Sequence, residues 1–165
     1  MDLTTITITA STVLSLFGGN SVNNDFLYKT EFTPEQIICG KIIYENNDGY
    51  YQQSLHYNYK YDEQNRLLTK EVQTWNTDEN KWENTYCLNY EYKNDNQMIV
   101  RQNWNVRNNS YSDFVEKMEF QVIGESVYSV TTHKWNCNQK DWAFVNRTAI
   151  YNPHADFLTN INSSF

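Results

Sequence analysis

TWNTDENKWENTYCLNYEY (residues 74–92) decides the fold. Two tryptophans, Trp75 and Trp82, flank the polar run NTDENK, and an alternating segment follows. From Trp82 onward, Tyr86, Leu88, Tyr90 and Tyr92 fall on one side of an extended chain, while Glu83, Thr85, Asn89 and Glu91 fall on the other. A period of two is the mark of a strand with one buried face. A hairpin centred between Asp78 and Glu79 sets Trp75 across from Trp82, where facing rings fix the register.

The same pattern recurs along the chain. YENNDGYY (44–51), WNTDENKW (75–82), WNVRNNSY (104–111) and WNCNQKDW (135–142) each hold an aromatic residue, six mostly polar residues and a second aromatic residue. Their starts are 31, 29 and 31 residues apart. Intervals in this range point to stacked supersecondary units. Between them, Tyr57, Tyr59 and Tyr61 alternate with His56, Asn58 and Lys60, and Phe114, Met118, Phe120 and Val122 share a parity. No segment sustains a helical period. The expectation is all-β: an antiparallel up-and-down meander of about eight to nine strands, built from four hairpin repeats of about 30 residues. With no helix to cover it, the strongly curved sheet can close into a barrel, pack in two layers or lie against a copy of itself. Parity fails between Tyr111 and Phe114 and between Val72 and Trp75, which predicts β-bulges near the aromatic turns.

Composition agrees. Of 165 residues, 16% are aromatic, which suits pleated surfaces, and only 2 are Pro and 5 Gly, so Asn and Asp supply the turn chemistry. Net charge is −7 with no run of Lys or Arg, which argues against a nucleic-acid partner. Residues 1–22 are uncharged after Asp2 and mildly apolar, and end in small residues. They read as a secretory signal that lacks the usual basic start, or as an N-terminal strand, since TTITITA alternates. The organisation expected is residues 1–22 as a signal or disordered segment and 23–165 as a single β-repeat domain, secreted, periplasmic or on the cell surface. No apolar stretch is long enough for a transmembrane helix.

Chemistry-bearing motifs are sparse. Cys39, Cys87 and Cys137 are far apart and read as small buried hydrophobes, one disulfide with a free thiol being the alternative. His56, His133 and His154 lack metal-ligand spacing and read as solvated residues on polar strand faces. The turns at 45–49 and 76–80 hold several oxygens without the spacing of a calcium loop, so no metal or cofactor is expected. Three Asn-x-Ser/Thr sequences, at Asn108, Asn146 and Asn162, are chance matches in an Asn-rich chain.

YNYKYDEQNRLLTKE (57–71) is similar to the Tyr-Asp repeat of large bacterial surface and toxin-shell proteins, with Asn65 where that motif has glycine. Over residues 26–152 the chain resembles a family of small exported proteins of gut Bacteroidetes that carries no assigned function. The likeness rests on the signal-like start, the TPEQIICGKI opening and hairpins with paired aromatics. It implies export and a β-rich fold, and it carries over no functional residue. The binding candidates are therefore the eight flanking aromatics: Tyr44, Tyr51, Trp75, Trp82, Trp104, Tyr111, Trp135 and Trp142. Exposed, they would form a ladder for sugar rings or a surface protein, with Asn76, Asn105 and Asn136 bonding hydroxyls. The leading expectation is a non-catalytic binding or scaffolding protein. The alternatives are a small exported hydrolase using a carboxylate pair and a structural module that associates with itself.

Overall fold

The computed structural model describes residues 26–93, 96–124 and 127–151. They form nine strands: β1 (Phe26–Phe32), β2 (Ile38–Asn47), β3 (Tyr50–Tyr61), β4 (Leu67–Asn76), β5 (Lys81–Lys93), β6 (Asn96–Asn105), β7 (Ser110–Gly124), β8 (Val127–Asn136) and β9 (Asp141–Tyr151). Each strand is hydrogen bonded to the next in sequence order, in one sheet. The expected antiparallel meander is therefore present, without a helix among the described residues. Of the arrangements the sequence leaves open, the closed barrel is not adopted, since β1 and β9 stand at opposite ends of the strand order. The signal expected over residues 1–22 lies outside the described residues.

Contacts divide the chain into two compact units. One holds the described residues up to Tyr59 together with Glu71–Thr85, and the other holds Lys60–Lys70 and the residues from Tyr86 onward. In the first unit the core is Ile42, Ile43, Tyr59 and Val72, with Thr30 buried beside them. In the second it is Leu67, Cys87, Tyr90, Val100, Phe120 and Tyr128. Registers show how the alternation becomes a face. Tyr90 pairs with Ile99 and Ile99 with Met118; Tyr92 pairs with Gln97, Gln97 with Phe120 and Phe120 with Val130. Paired residues lie on the same side of a sheet, so the Tyr side of β5 and the Met118, Phe120, Val122 side of β7 are one apolar surface. Of the cysteines only Cys87 is buried; Cys137 is exposed in a turn, Cys39 is half-buried, and none of the three forms a disulfide among the described residues.

Turn chemistry is local and explicit. Three turns span four residues, 77–80, 106–109 and 137–140, and each ends on a left-handed residue: Asn80 (φ 52°), Asn109 (φ 50°) and Lys140 (φ 52°). The Asn before each turn folds its side chain over it. Asn76 Oδ1 accepts from the backbone N–H of Asp78 (3.0 Å) and Glu79 (3.1 Å), Asn105 Oδ1 from Asn108 (3.0 Å), and Asn136 Oδ1 from Asn138 (3.0 Å) and Gln139 (3.2 Å). These asparagines thus stabilise turns, since an Asn carbonyl mimics a backbone acceptor at this spacing. The first aromatic-flanked segment turns differently. Asp48 (φ 51°) and Gly49 (φ 91°) make a two-residue turn with both central residues left-handed, the geometry that matches strand twist. In the stretch similar to a Tyr-Asp repeat, Asn65 is left-handed as the glycine substitution suggests (φ 59°). Asp62 accepts from the N–H of Gln64 and Arg66 and from Arg66 Nε (2.8 Å), which holds its carboxyl below the usual range.

Two predictions follow from these contacts. Asn76→Ala leaves two turn N–H groups without their acceptor and should cost about 1–2 kcal/mol in urea unfolding, whereas Thr77→Ala should cost little. Burial pushes the Tyr90 phenol from 10.0 up to about 12. The folded chain then keeps a proton that the unfolded chain releases. Its contribution is complete below pH 10 and lost as pH rises to about 12, on the order of 2 kcal/mol in all. Tyr90→Phe should flatten the fall in stability across that alkaline window.

Candidate functional site on the aromatic face

In the first unit, Trp75 and Trp82 meet edge-to-face, with centroids 5.0 Å apart and planes at 68°. The expected facing of the two rings is realised. Trp82 also lies 5.2 Å from the His56 ring. His56 is not the solvated side chain expected from its place on a polar strand face. Its Nε2 lies 3.2 Å from Glu31 Oε2 and its Nδ1 lies 3.2 Å from Gln73 Oε1. Asn58 Nδ2 also donates to Gln73 Oε1 (3.2 Å), and Gln73 Nε2 donates to Asn84 Oδ1 (2.8 Å). The register explains the gathering: Glu31 pairs with Gly40 and Gly40 with Asn58, so these side chains rise on one face. Gly40 makes room for the carboxylate, because a Cβ there would lie 2.5 Å from Glu31 Oε2. Sequence alone gave no sign of this network, since its members come from β1, β3, β4 and β5. Both ring nitrogens of His56 face side-chain oxygens, so the network orients the imidazole beneath Trp82 rather than presenting a base to a nucleophile.

In the second unit, Trp104 pairs with Tyr111 and Trp135 with Trp142 in direct register. Both pairs are edge-to-face, at 4.9 Å and 71° and at 5.2 Å and 69°. Phe114 joins the second pair, 5.1 Å from Trp135 and 5.7 Å from Trp142, and Lys117 Nζ sits 5.3 Å from the centroid of the Trp142 ring. The expectation that Phe114 shares a face with Met118, Phe120 and Val122 is corrected here. The register skips Val115 between Arg101–Glu116 and Gln102–Phe114, and skips Ser112 between Asn103–Asp113 and Trp104–Tyr111. Each bulge turns the side chains over, so Phe114 and Tyr111 both reach the face that carries Val100 and Lys117. The mismatch of parity at Tyr111 and Phe114 was the signal for it. Matching shifts occur at Ile43/Tyr44 and Thr132/His133, near the other aromatic segments.

Tyr44 and Tyr51 do not face each other; Tyr44 pairs with Gln53 and Tyr51 with Asn46, because the shorter turn displaces the register. Seven of the eight candidate rings are half-buried, and Tyr51 is exposed. They therefore present edges and part of their faces rather than a bare ladder. Asn76, Asn105 and Asn136 commit their amides as well, donating to Glu83 (2.8 Å), Asp113 (2.8 Å) and Gln139 (3.1 Å). That corrects their expected use toward ligand hydroxyls.

Also in the second unit, a cavity of about 240 Å³ is lined by residues of β5 to β9, among them Glu91, Glu119, Thr131 and Arg147. Glu91 is ion-paired to Lys93 (3.3 Å) and Glu119 to Lys117 (2.8 Å). Arg147 Nε donates to the buried Thr131 Oγ1 (3.0 Å). No group of three metal-ligating side chains occurs among the described residues.

The model of a family of unknown function, DUF3836, matches residues 2–123. No curated protein matches the chain. A crystal structure of a protein of unknown function from Bacteroides fragilis is similar at 19% identity and TM-score 0.64, over 81% of this chain and 97% of that one. DUF3836 family proteins from Bacteroides vulgatus (20% identity, TM-score 0.40, 76% of this chain and 98% of that one) and Parabacteroides distasonis (16%, 0.42, 84% and 95%) also match. The first of these supports the fold and says nothing of activity.

The Glu31 network makes a sharp prediction. Gly40→Ala should displace the carboxylate from His56 and cost about 1–3 kcal/mol, while Glu31→Ala/Gly40→Ala should cost less than the two single changes together. Additive losses in a denaturation cycle would mean that the Gly40 site does not act through Glu31.

Proposed function

The chain belongs to the DUF3836 family of unknown function, and from its aromatic face we propose that it is an exported, non-catalytic protein that binds glycans. The observation that carries this reading is the grouping of Trp104, Tyr111, Phe114, Trp135 and Trp142 on one face of the second unit, half-open to solvent. Rings locked edge-to-face lose little further freedom on binding, which favours them as anchors. Lys117 and Gln102 on the same face supply hydrogen-bond donors beside the rings. The mildly apolar segment 1–22, uncharged after Asp2, supports export.

A hydrolase is the weaker alternative. Glu91 and Glu119 share the cavity, and Met98 stands between them in the register, which sets their Cα atoms roughly 10 Å apart. Each is already ion-paired to a lysine, Glu91 to Lys93 and Glu119 to Lys117, so neither could act on a substrate without giving up that pair.

Native gels containing porcine gastric mucin, polygalacturonate or dextran test the proposal. The wild-type chain should be retarded by at least one of them, and Trp104→Ala and Trp142→Ala should weaken that retention about tenfold or more. Each substitution also removes a ring pair worth about 0.5–1.5 kcal/mol, so thermal unfolding is measured alongside. Unchanged retention with a lowered melting temperature would reduce the rings to register clamps.

A further inference from the structure

We infer that the glycan is acidic and that Arg147 receives its anionic group, with a neighbouring sugar seated on Phe144 and Trp142. This rests on the glycan reading above and narrows it to sugars bearing a carboxylate or sulfate.

Register lays out the site. Thr131 pairs with Arg147, His133 with Phe144 and Trp135 with Trp142. Thr131, His133 and Trp135 are alternate residues of β8, so they and their partners lie on one face. A lane therefore runs from the cavity at Arg147, past Phe144, to the Trp135–Trp142 pair. Its length from Thr131 to Trp135 is roughly 14 Å. Phe144 is 63% exposed, and its ring contact among the described residues is edge-on with His133 (6.1 Å), which leaves ring surface for a ligand. The aromatic end of the lane is bounded by Phe114 and by Lys117 over Trp142.

Charge selects the ligand class. The carboxylates lining the cavity are each paired to a lysine, whereas Arg147 has no carboxylate within ion-pair distance among the described residues. Its guanidinium is held by one bond, from Nε to Thr131, a side chain only 6% exposed. That bond orients the fork and leaves both terminal nitrogens to take a planar anion. Around this lane the balance inverts the acidic character of the chain. On the lane's own face Lys93, Lys117 and Arg147 stand against Glu91 and Glu119, a local positive excess within a protein of net charge −7. A neutral glycan would have no use for that local excess.

The test uses the full chain in native gels containing polygalacturonate (carboxylate only), dextran sulfate (sulfate only) or dextran (neither). Retardation by polygalacturonate or dextran sulfate, but not by dextran, is expected, and it should weaken as salt is raised. Which anionic gel retards the chain identifies the charged group. Arg147→Gln should reduce that retention about tenfold or more, with Arg147→Lys falling between because an ammonium cannot bond bidentately. Phe144→Ala should weaken it in the same gels. If Arg147→Gln binds as wild type while Trp142→Ala does not, the anionic site is wrong and the glycan reading stands. If no gel retards the wild-type chain, both fail.

Discussion

Everything on the aromatic face depends on hairpin register, and the side chain of one asparagine per turn helps to set it. Asn76, Asn105 and Asn136 each satisfy turn N–H groups with their own carbonyl and reach a nearby side chain with their amide. A four-residue turn closed this way fixes which residues oppose one another. In the two hairpins from β6 to β9, it sets Trp104 opposite Tyr111 and Trp135 opposite Trp142. Slippage by one residue would turn one strand of the pair over and carry its ring to the other side. The shorter Asp48-Gly49 turn shows the consequence, since its different length leaves Tyr44 and Tyr51 without each other.

Bulges then decide which side chains share a face. A strictly alternating β7 would carry Tyr111 and Phe114 on opposite sides. Skipping Ser112 and Val115 brings both to the side of Val100 and Lys117, where Phe114 completes a three-ring cluster. The same side carries polar groups: Asn89 donating to Gln102 (2.7 Å), Lys117 paired with Glu119, and Arg147 on Thr131. The apolar surface of Tyr90, Ile99, Met118 and Phe120 lies on the reverse. The second unit thus separates a face whose chemistry is mostly burial from one that combines rings, amides and a cation. The proposed recognition is placed on the latter, because orientation requires polar groups beside flat apolar ones.

The first unit reaches a comparable arrangement by a different route. Glu31, His56, Gln73 and Asn84 join four strands through side-chain hydrogen bonds under Trp82. A glycine supplies the space this needs: Gly40 lets the carboxylate lie against the strand where any side chain would push it away. The network ties β1 to β5 through side chains. Its members are spread over more than 50 residues of chain, which is why none of them stood out beforehand.

The sequence by itself determined the strands, the apolar sides of β5 and β7, the left-handed turn residue at Asn65 and the facing of Trp75 with Trp82. All of these follow from period-two alternation and turn stereochemistry, which act over a few residues. Parity errors even announced bulges near the aromatic turns. Only the tertiary structure decided that the sheet is not closed into a barrel, that Phe114 changes sides, that His56 is held between Glu31 and Gln73, and that Arg147 stands beside a cavity with no carboxylate partner among the described residues. Those outcomes depend on pairing between distant strands, and a bulge or a two-residue turn changes that pairing without altering the local pattern. Alternation states that a residue lies on a face; the neighbouring strand decides which residues it meets there.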